Sequence, residues 1–220
     1  IYNRPMIYYP LQTIITAGIE DILIVTGGKN AGDFLRLLGN GSEFGLKDIH
    51  YTYQEGEGGI ADALGMAEHF ADNEKIVVIL GDNIIEDNIA PYVEEFKKQE
   101  SGAKILLKEV PDPNRFGVPV ITNGKITAIE EKPKLPASNY AVTGVYMYNH
   151  TVFDIIHDLR PSKRKELEIT DVNNTYLERG NMTYNILKGW WTDAGTFESL
   201  FKANELVRGK SLKKQPSAAA

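Results

Sequence analysis

The sequence predicts an α/β fold: a Rossmann-like, doubly wound mixed sheet with helices on both faces and a β-rich second half. Three observations carry that prediction. Over the first half, apolar runs of strand length alternate with amphipathic stretches of helix length. After Val110 the alternation gives way to short strands, two of them flanking Asn123-Gly124, a strong two-residue hairpin signal. Apolar residues make up 42% of 220 residues with mixed charge, enough for one sizeable core and too much for disorder.

The elements follow in order. Ile7, Leu11 and Ile14 suit a short helix stopped by Gly18. "DILIVT" is a continuous apolar strand, and "AGDFLRLLG" is a helix ending at Gly39. "IHYTYQ" is a strand. "IADALGMAEHF" is a helix with Ile60, Ala63, Leu64, Ala67 and Phe70 on one face. "KIVVILGD" is a buried strand. "NIAPYVEEFKKQES" is a helix capped by Asn88, with Pro91 in its first turn and Ile89, Val93 and Phe96 inward. "AKILLKEV" is the next strand. Strands alternating with helices imply a mostly parallel sheet with right-handed crossovers.

In the second half, "GVPVITNGKITAIEEKP" is a hairpin and "NYAVTGVYMYN" a longer strand. The helix "TVFDIIHDL" turns Val152, Phe153, Ile156 and Leu159 inward. "EITDVNNTYLERG" does so with Ile169, Val172 and Tyr176 and stops at Gly180. The strand "MTYNIL", the loop "GWWTDAGT" and a helix capped by Thr196 complete the pattern. No Pro, Gly or Ser-rich linker and no internal repeat divides the chain. One domain over 1–210 is expected, in halves 1–110 and 111–210, with a flexible tail over 211–220.

Composition narrows the function classes. A net charge of −6 argues against a nucleic-acid partner, because phosphate contacts need a basic face. A phosphate ligand would then need local cations or backbone N–H groups. With no cysteines there is no disulfide, thiolate metal site or Cys nucleophile. No apolar run reaches membrane-span length and no signal-peptide pattern opens the chain, so a cytoplasmic protein with no membrane partner is expected.

Four features could carry chemistry. Asp82 follows the "IVVIL" run and Gly81, and ligands in open α/β sheets sit beyond the carboxyl ends of strands. It is read equally as a metal ligand or a turn residue. Asp193 in "GWWTDAGT" stands alone as a helix cap or, with Asp82, as half of a carboxylate pair for a hard cation. In "YQEGEGGIADAL", Gln54 can read a base edge and the glycines let backbone N–H groups face a ligand. The alternative is a flexible connector, since the spacing matches neither a Walker loop nor the dinucleotide fingerprint. In "AIEEKPKLP", Lys132 could neutralise a phosphate and Glu131 accept from a sugar hydroxyl, or both could belong to a solvated strand end. The four histidines show no metal-ligand spacing, "TGGKN" reads as a strand-to-helix turn, and Tyr2, Tyr8 and Tyr9 read as packing residues.

Taken in order, "RPMIYYPLQTIITAGI", "GGIADAL", "VVILGDNI", "RFGV", "IEEKP", "NYAVTGVYMY", "ELEITDVN" and "GWWTDAGT" resemble the sugar-1-phosphate nucleotidylyltransferases, specifically the glucose-1-phosphate thymidylyltransferases, from about Tyr2 to Arg208. The short members, which lack a C-terminal helical extension, are the nearest match. The resemblance implies a Mg²⁺-dependent enzyme that joins dTTP to glucose 1-phosphate, giving dTDP-glucose and pyrophosphate by in-line attack on the α-phosphorus. It makes 1–110 the nucleotide-binding half and 111–210 the sugar-binding half. It implies Asp82 and Asp193 as Mg²⁺ ligands, with Asp82, Lys132 and Asp193 catalytic. Gln54 and Gly59 would read the base. Gly117, Glu131, Lys132, Val142 and Glu168 would meet the sugar phosphate.

Two departures qualify the resemblance. Asp62 stands where many relatives carry Gln, which bears on dTTP against UTP. Ala194 replaces a common Thr. The family's opening strand and Gly-rich triphosphate loop have no counterpart in a chain that starts "IYNRPMIYYP". The expectation is therefore little or no transferase activity from this polypeptide by itself. A catalytically silent nucleotide-sugar-binding or regulatory subunit, and the same chemistry on UTP or another sugar phosphate, stay open. So does homo-oligomerisation.

Overall fold

The computed structural model describes residues 1–29 and 31–214. Among the described residues ten strands and eight α-helices keep the predicted order, with two short strands added, Asn83–Ile85 and Trp191–Asp193, the latter inside the expected loop "GWWTDAGT". They begin with α1 (Tyr8–Thr16), β1 (Ile22–Gly27), α2 (Ala31–Leu38), β2 (Ile49–Gln54), α3 (Ile60–Gly65), α4 (Glu68–Ala71) and β3 (Ile76–Ile79). Next come β4 (Asn83–Ile85), α5 (Ala90–Lys98), β5 (Ala103–Glu109), β6 (Gly117–Thr122) and β7 (Lys125–Glu131). The chain continues with β8 (Tyr140–Tyr148), α6 (Val152–Asp158), α7 (Ile169–Glu178), β9 (Met182–Ile186), β10 (Trp191–Asp193) and α8 (Phe197–Lys214).

Several local signals act as expected. Asn88 Oδ1 accepts from Ala90 N–H at 2.9 Å, capping α5, and Pro91 sits in its first turn. Thr196 Oγ1 accepts from Ser199 N–H while Ser199 Oγ accepts from Thr196 N–H, a reciprocal cap at the start of α8. Asn123 and Gly124 both have positive φ (52° and 75°) and join β6 to β7, the geometry a two-residue hairpin of right-twisted strands requires.

Three expectations change. The helix expected over 60–70 is two short ones. Ala67 N–H bonds back to Leu64 O, closing the first tightly, and Gly65 supplies little helix propensity at the break. The strand before Asp82 ends at Ile79; Asn83 N–H bonds Leu80 O, so Asp82 lies in a turn between β3 and β4. Of the expected tail, 211–214 continue α8. Residues 215–220 lie outside the described residues, as does Asn30 of the "TGGKN" turn.

The sheet is mixed because β8, the longest strand, returns from the 111–133 excursion antiparallel. It lies between β3 and β5, and β9 pairs parallel to β5, giving the order β3-β8-β5-β9. β1 pairs parallel with β2 from Ile22↔Ile49 to Gly27↔Gln54. β5 and β8 form the core plank, with Ile105, Leu106, Leu107, Val145, Met147 and Tyr148 fully buried. Each such side chain contributes about 1.5–3 kcal/mol of burial free energy. β8 serves two clusters by alternation: Val142, Tyr146 and Tyr148 face one, and Ala141, Val145 and Met147 the other. Among the described residues no helix is long and apolar enough to cross a membrane.

Candidate active site

Asn83 is the hinge of the acid pair. It is buried, and its Oδ1 accepts from Gly144 N–H (2.8 Å) and Trp191 Nε1–H (2.7 Å). Its Nδ2 donates to Asp82 Oδ1 at 2.9 Å. Gly144 is required there, because a Cβ would collide with the Asn83 side chain. β4 then pairs antiparallel with β10, placing Asn83 opposite Asp193 across a long sequence gap. Glu86 and Asp87 clamp the approach to β10: Asp87 accepts from Lys188 and Gly189 N–H, and Glu86 from Trp190 N–H.

The two acids expected to act together therefore meet. A Cβ built on Gly195 would lie 3.1 Å from Asp82 Oδ2 and 3.6 Å from Asp193 Oδ2, so both carboxylates bracket the space above that glycine. Among the described residues no group of three His, Asp or Glu side chains gathers into a metal site. Two carboxylates with room between them still suit Mg²⁺, which keeps water and phosphate oxygens in most positions. They do not suit a closed structural zinc site. Arg115 stands guard on one side. Its guanidinium reaches Asp193 Oδ2 and Asp112 Oδ2, each at 3.1 Å, and lies over the Phe116 ring, which itself packs edge-on against Trp191.

The second group of residues forms where β7 ends beside α7. Glu131 pairs with Gly117 in the β6–β7 register and accepts from Thr170 Oγ1 at 2.7 Å. Lys132 has a left-handed backbone (φ 46°) held by its N–H bond to Phe116 O. Its Nζ is 3.8 Å from Glu131. Arg164 reaches Glu131, Glu166 and Glu168 at 3.8, 3.5 and 2.7 Å. Burial opposes the charge on Glu168. Hydrogen bonds from Arg164 and Ser162, with the charges of Arg164 and Lys132, outweigh it and hold the carboxyl below its usual range. Asp171 moves the other way, raised by burial and by its neighbours Glu168 and Glu131. A Cβ on Gly117 would lie 3.6 Å from both Glu131 Oε2 and Thr170 Oγ1, so the glycine keeps that wall thin.

β8 links the two groups. Val142, Gly144 and Tyr146 share one of its faces. Val142 is buried in the core, so its expected sugar contact rests on its place in this row rather than on an exposed side chain. Tyr146 is fully enclosed; burial first, then the fields of Glu131 and Asp82, push its phenol above the ordinary tyrosine range. One buried ring thus senses a carboxylate from each group.

The Gly-rich loop completes the site. Gly59 has φ 95° and no room for a Cβ, which would lie 2.5 Å from Leu167 O. Leu167 N–H bonds Gly58 O, so the loop is seated against the segment leading into α7 rather than being a flexible connector. Gln54 Nε2 donates to Asp62 Oδ2 (2.6 Å) and Gly59 O (3.2 Å). Both amide protons are engaged, which leaves Oε1 as the acceptor it can offer a ligand.

Sequence reasoning missed Arg115, Arg164, Asn83 and Thr170 as site residues. Arg115 carried a signal in "RFGV"; Arg164 carried none, being one of several basic residues in a coil. Of the residues set aside, Tyr2 does not pack as read: it is 49% exposed with a left-handed backbone, while the others behave as expected. His157 is mostly exposed beside Glu68, Tyr8 packs edge-on against Phe44, and the Tyr9 hydroxyl bonds Ile1 O.

Comparison with known proteins adds an independent line. Residues 1–210 match the family described as nucleotidyl transferase. The chain is 41% identical to a glucose-1-phosphate thymidylyltransferase of Neisseria meningitidis over 94% of its own length and 73% of that protein. It is 42% identical to one of Mycolicibacterium smegmatis with the same coverage. A crystal structure described as a glucose-1-phosphate thymidylyltransferase from Bacillus anthracis, with sucrose bound, superposes with a TM-score of 0.89. That structure is 56% identical, and the match covers 93% of this chain and 82% of that one.

Proposed function

The chain belongs to the nucleotidyl transferase family, and from that premise we propose that it transfers a thymidylyl group from dTTP to glucose 1-phosphate, giving dTDP-glucose and pyrophosphate. The names of its relatives at 41% and 42% identity support this substrate pair. They leave a catalytically silent subunit unfavoured. The observation that carries the chemistry is the meeting of Asp82 and Asp193 above Gly195.

The oxygen of the sugar phosphate forms a bond to the α-phosphorus as the bond to the bridging oxygen of pyrophosphate breaks. No covalent enzyme intermediate is needed, so the protein's work is positioning and charge neutralisation. Asp82 and Asp193 would hold Mg²⁺. When bound, it supplies positive charge between two polyanionic substrates and lowers their repulsion. Lys132 and Arg164 would hold the sugar phosphate, while Glu131, fixed by Thr170, accepts from a sugar hydroxyl. Gln54 Oε1 would accept the imide N–H of a thymine or uracil, and the Gly58-Gly59 backbone lies close enough to face the ring. Asp62, by orienting Gln54, fixes which edge is read.

Calorimetric binding of dTDP-glucose tests the reading, with and without Mg²⁺ and against UDP-glucose and a purine nucleotide sugar. Mg²⁺-dependent binding, tightest for dTDP-glucose, supports it. Binding indifferent to both base and metal overturns it.

A further inference from the structure

Gln54 closes β2, opposite Gly27 at the end of β1. Its side-chain amide has two ends of opposite character, a carbonyl that accepts and an NH₂ that donates, and a flip exchanges them. The surroundings choose between the two. Nε2 lies 2.6 Å from Asp62 Oδ2 and 3.2 Å from Gly59 O. A backbone carbonyl only accepts, and so does an ionised carboxylate. The flipped amide would set its own carbonyl against two acceptors, which leaves one orientation.

Asp62 is placed for this contact. It stands in the first turn of α3, and its carboxylate covers Gly58, where a Cβ would collide with Asp62 Oδ2. The glycine therefore leaves the carboxylate its position. Among the described residues Gln54 is the one side chain that hydrogen-bonds Asp62, and no basic side chain pairs with it. Gly59 O, the other acceptor, also takes Ala63 N–H at 3.1 Å. The carboxylate is the nearer acceptor and the charged one, and charge-assisted hydrogen bonds are the stronger. Asp62 thus dominates the choice of amide orientation.

We propose that Asp62 is a positioning residue that makes this site select bases carrying N–H at N3, thymine and uracil, and reject cytosine, whose N3 is a lone pair. This rests on Gln54 being the residue that faces the base, as proposed above. With Nε2 committed to Asp62, Oε1 meets an imide N–H as a hydrogen bond and the cytosine N3 as acceptor against acceptor. A site built for one hydrogen-bonding pattern rejects an analogue that leaves its polar groups unpaired. In Asp62→Asn the new amide can donate to Gln54 Oε1, which permits the flip and turns the Gln54 NH₂ toward the ligand. Thymine and uracil share the imide, so Asp62 does not separate dTTP from UTP.

The test compares UDP-glucose with CDP-glucose, which are alike in ribose, diphosphate and glucose. Calorimetry at fixed Mg²⁺ is run on the wild type, Asp62→Asn and Gln54→Leu. The wild type should bind UDP-glucose about ten- to a hundredfold more tightly than CDP-glucose, and Asp62→Asn should narrow the ratio to about threefold or less. A second readout needs no ligand. In the ¹⁵N-labelled free chain, the Gln54 NH₂ proton bonded to Asp62 should resonate downfield and exchange slowly with water. Both signatures should vanish in Asp62→Asn with the far-ultraviolet dichroism unchanged. No preference for UDP-glucose in the wild type would overturn the proposal. So would an unchanged ratio in Asp62→Asn, an equal loss of both ligands, or identical Gln54 amide signals in the two proteins. Gln54→Leu tells the failures apart. If it erases the preference while Asp62→Asn does not, Gln54 still reads the base and the role of Asp62 falls. If it keeps the preference, both fall.

Discussion

The two charged groups linked by β8 are built on different plans. Around Glu131, donors and bases hold the acids, Arg164 being shared: Thr170 and Arg164 for Glu131, Arg164 and Ser162 for Glu168, with Lys132 alongside. Around Asp82 and Asp193, two carboxylates share one space, and among the described residues Arg115, which also serves Asp112, pairs with Asp193. The group around Glu131 already holds Lys132 and Arg164, two cations for a sugar phosphate. Two carboxylates that share one space offer a pair of oxygen ligands to a hard cation. On the proposed reading the acid pair would hold the metal and the Glu131–Lys132 group the sugar phosphate, and the enclosed Tyr146 phenol feels a carboxylate of each.

Substitutions can break this contrast, starting with the largest expected effect. Removing one acid of the pair, Asp193→Asn, should lower the Mg²⁺-dependent part of dTDP-glucose binding by roughly a hundredfold, since several kcal/mol of charge stabilisation are lost. Calorimetry at fixed Mg²⁺ reads the effect. Lys132→Ala should weaken glucose 1-phosphate binding by about ten- to a hundredfold, the range for a hydrogen bond to a charged group, and leave Mg²⁺ affinity unchanged. If Lys132→Ala altered metal affinity as strongly as Asp193→Asn does, the two sides would not be separable.

Asn83→Leu tests what holds the pair in place. It removes the acceptor of Gly144 N–H and Trp191 Nε1–H, both buried, and should cost about 2–4 kcal/mol in urea unfolding. The smallest effect is expected from Glu168→Gln. Because its folded pKa is depressed, Glu168 contributes stability at pH above the ordinary value of 4.5 and loses it as pH falls through the lowered one. The wild type should therefore lose more Tm than Glu168→Gln on acidification below pH 4.5, with the curves converging at low pH. Parallel curves would show that Arg164 and Ser162 do not stabilise the Glu168 charge.

Much of the fold was legible because its signals are local. The Asn123-Gly124 hairpin, the Asn88 and Thr196 caps and the apolar runs of β5 and β8 each depend on a few adjacent residues. The antiparallel insertion of β8 between β3 and β5 was not, since an apolar strand reads the same in either direction. For the site, Asp82, Gln54, Glu131 and Lys132 stood out at the ends of predicted strands and Asp193 in the loop before the last predicted helix. Their partnership did not, because it depends on the Asn83↔Asp193 pairing of two three-residue strands far apart in sequence. Arg164 becomes distinguishable from its basic neighbours only once the coil before α7 lies against Glu131.

The measurement that bears most directly on the account is Mn²⁺ binding, followed by electron paramagnetic resonance, to the wild type and to Asp82→Asn in the presence of dTDP-glucose. The account predicts one bound Mn²⁺ per chain in the wild type, displaced by Mg²⁺, and affinity reduced about a hundredfold in Asp82→Asn with the far-ultraviolet dichroism unchanged. Equal Mn²⁺ affinity in the two proteins would contradict it and return Asp82 to being a turn residue between β3 and β4.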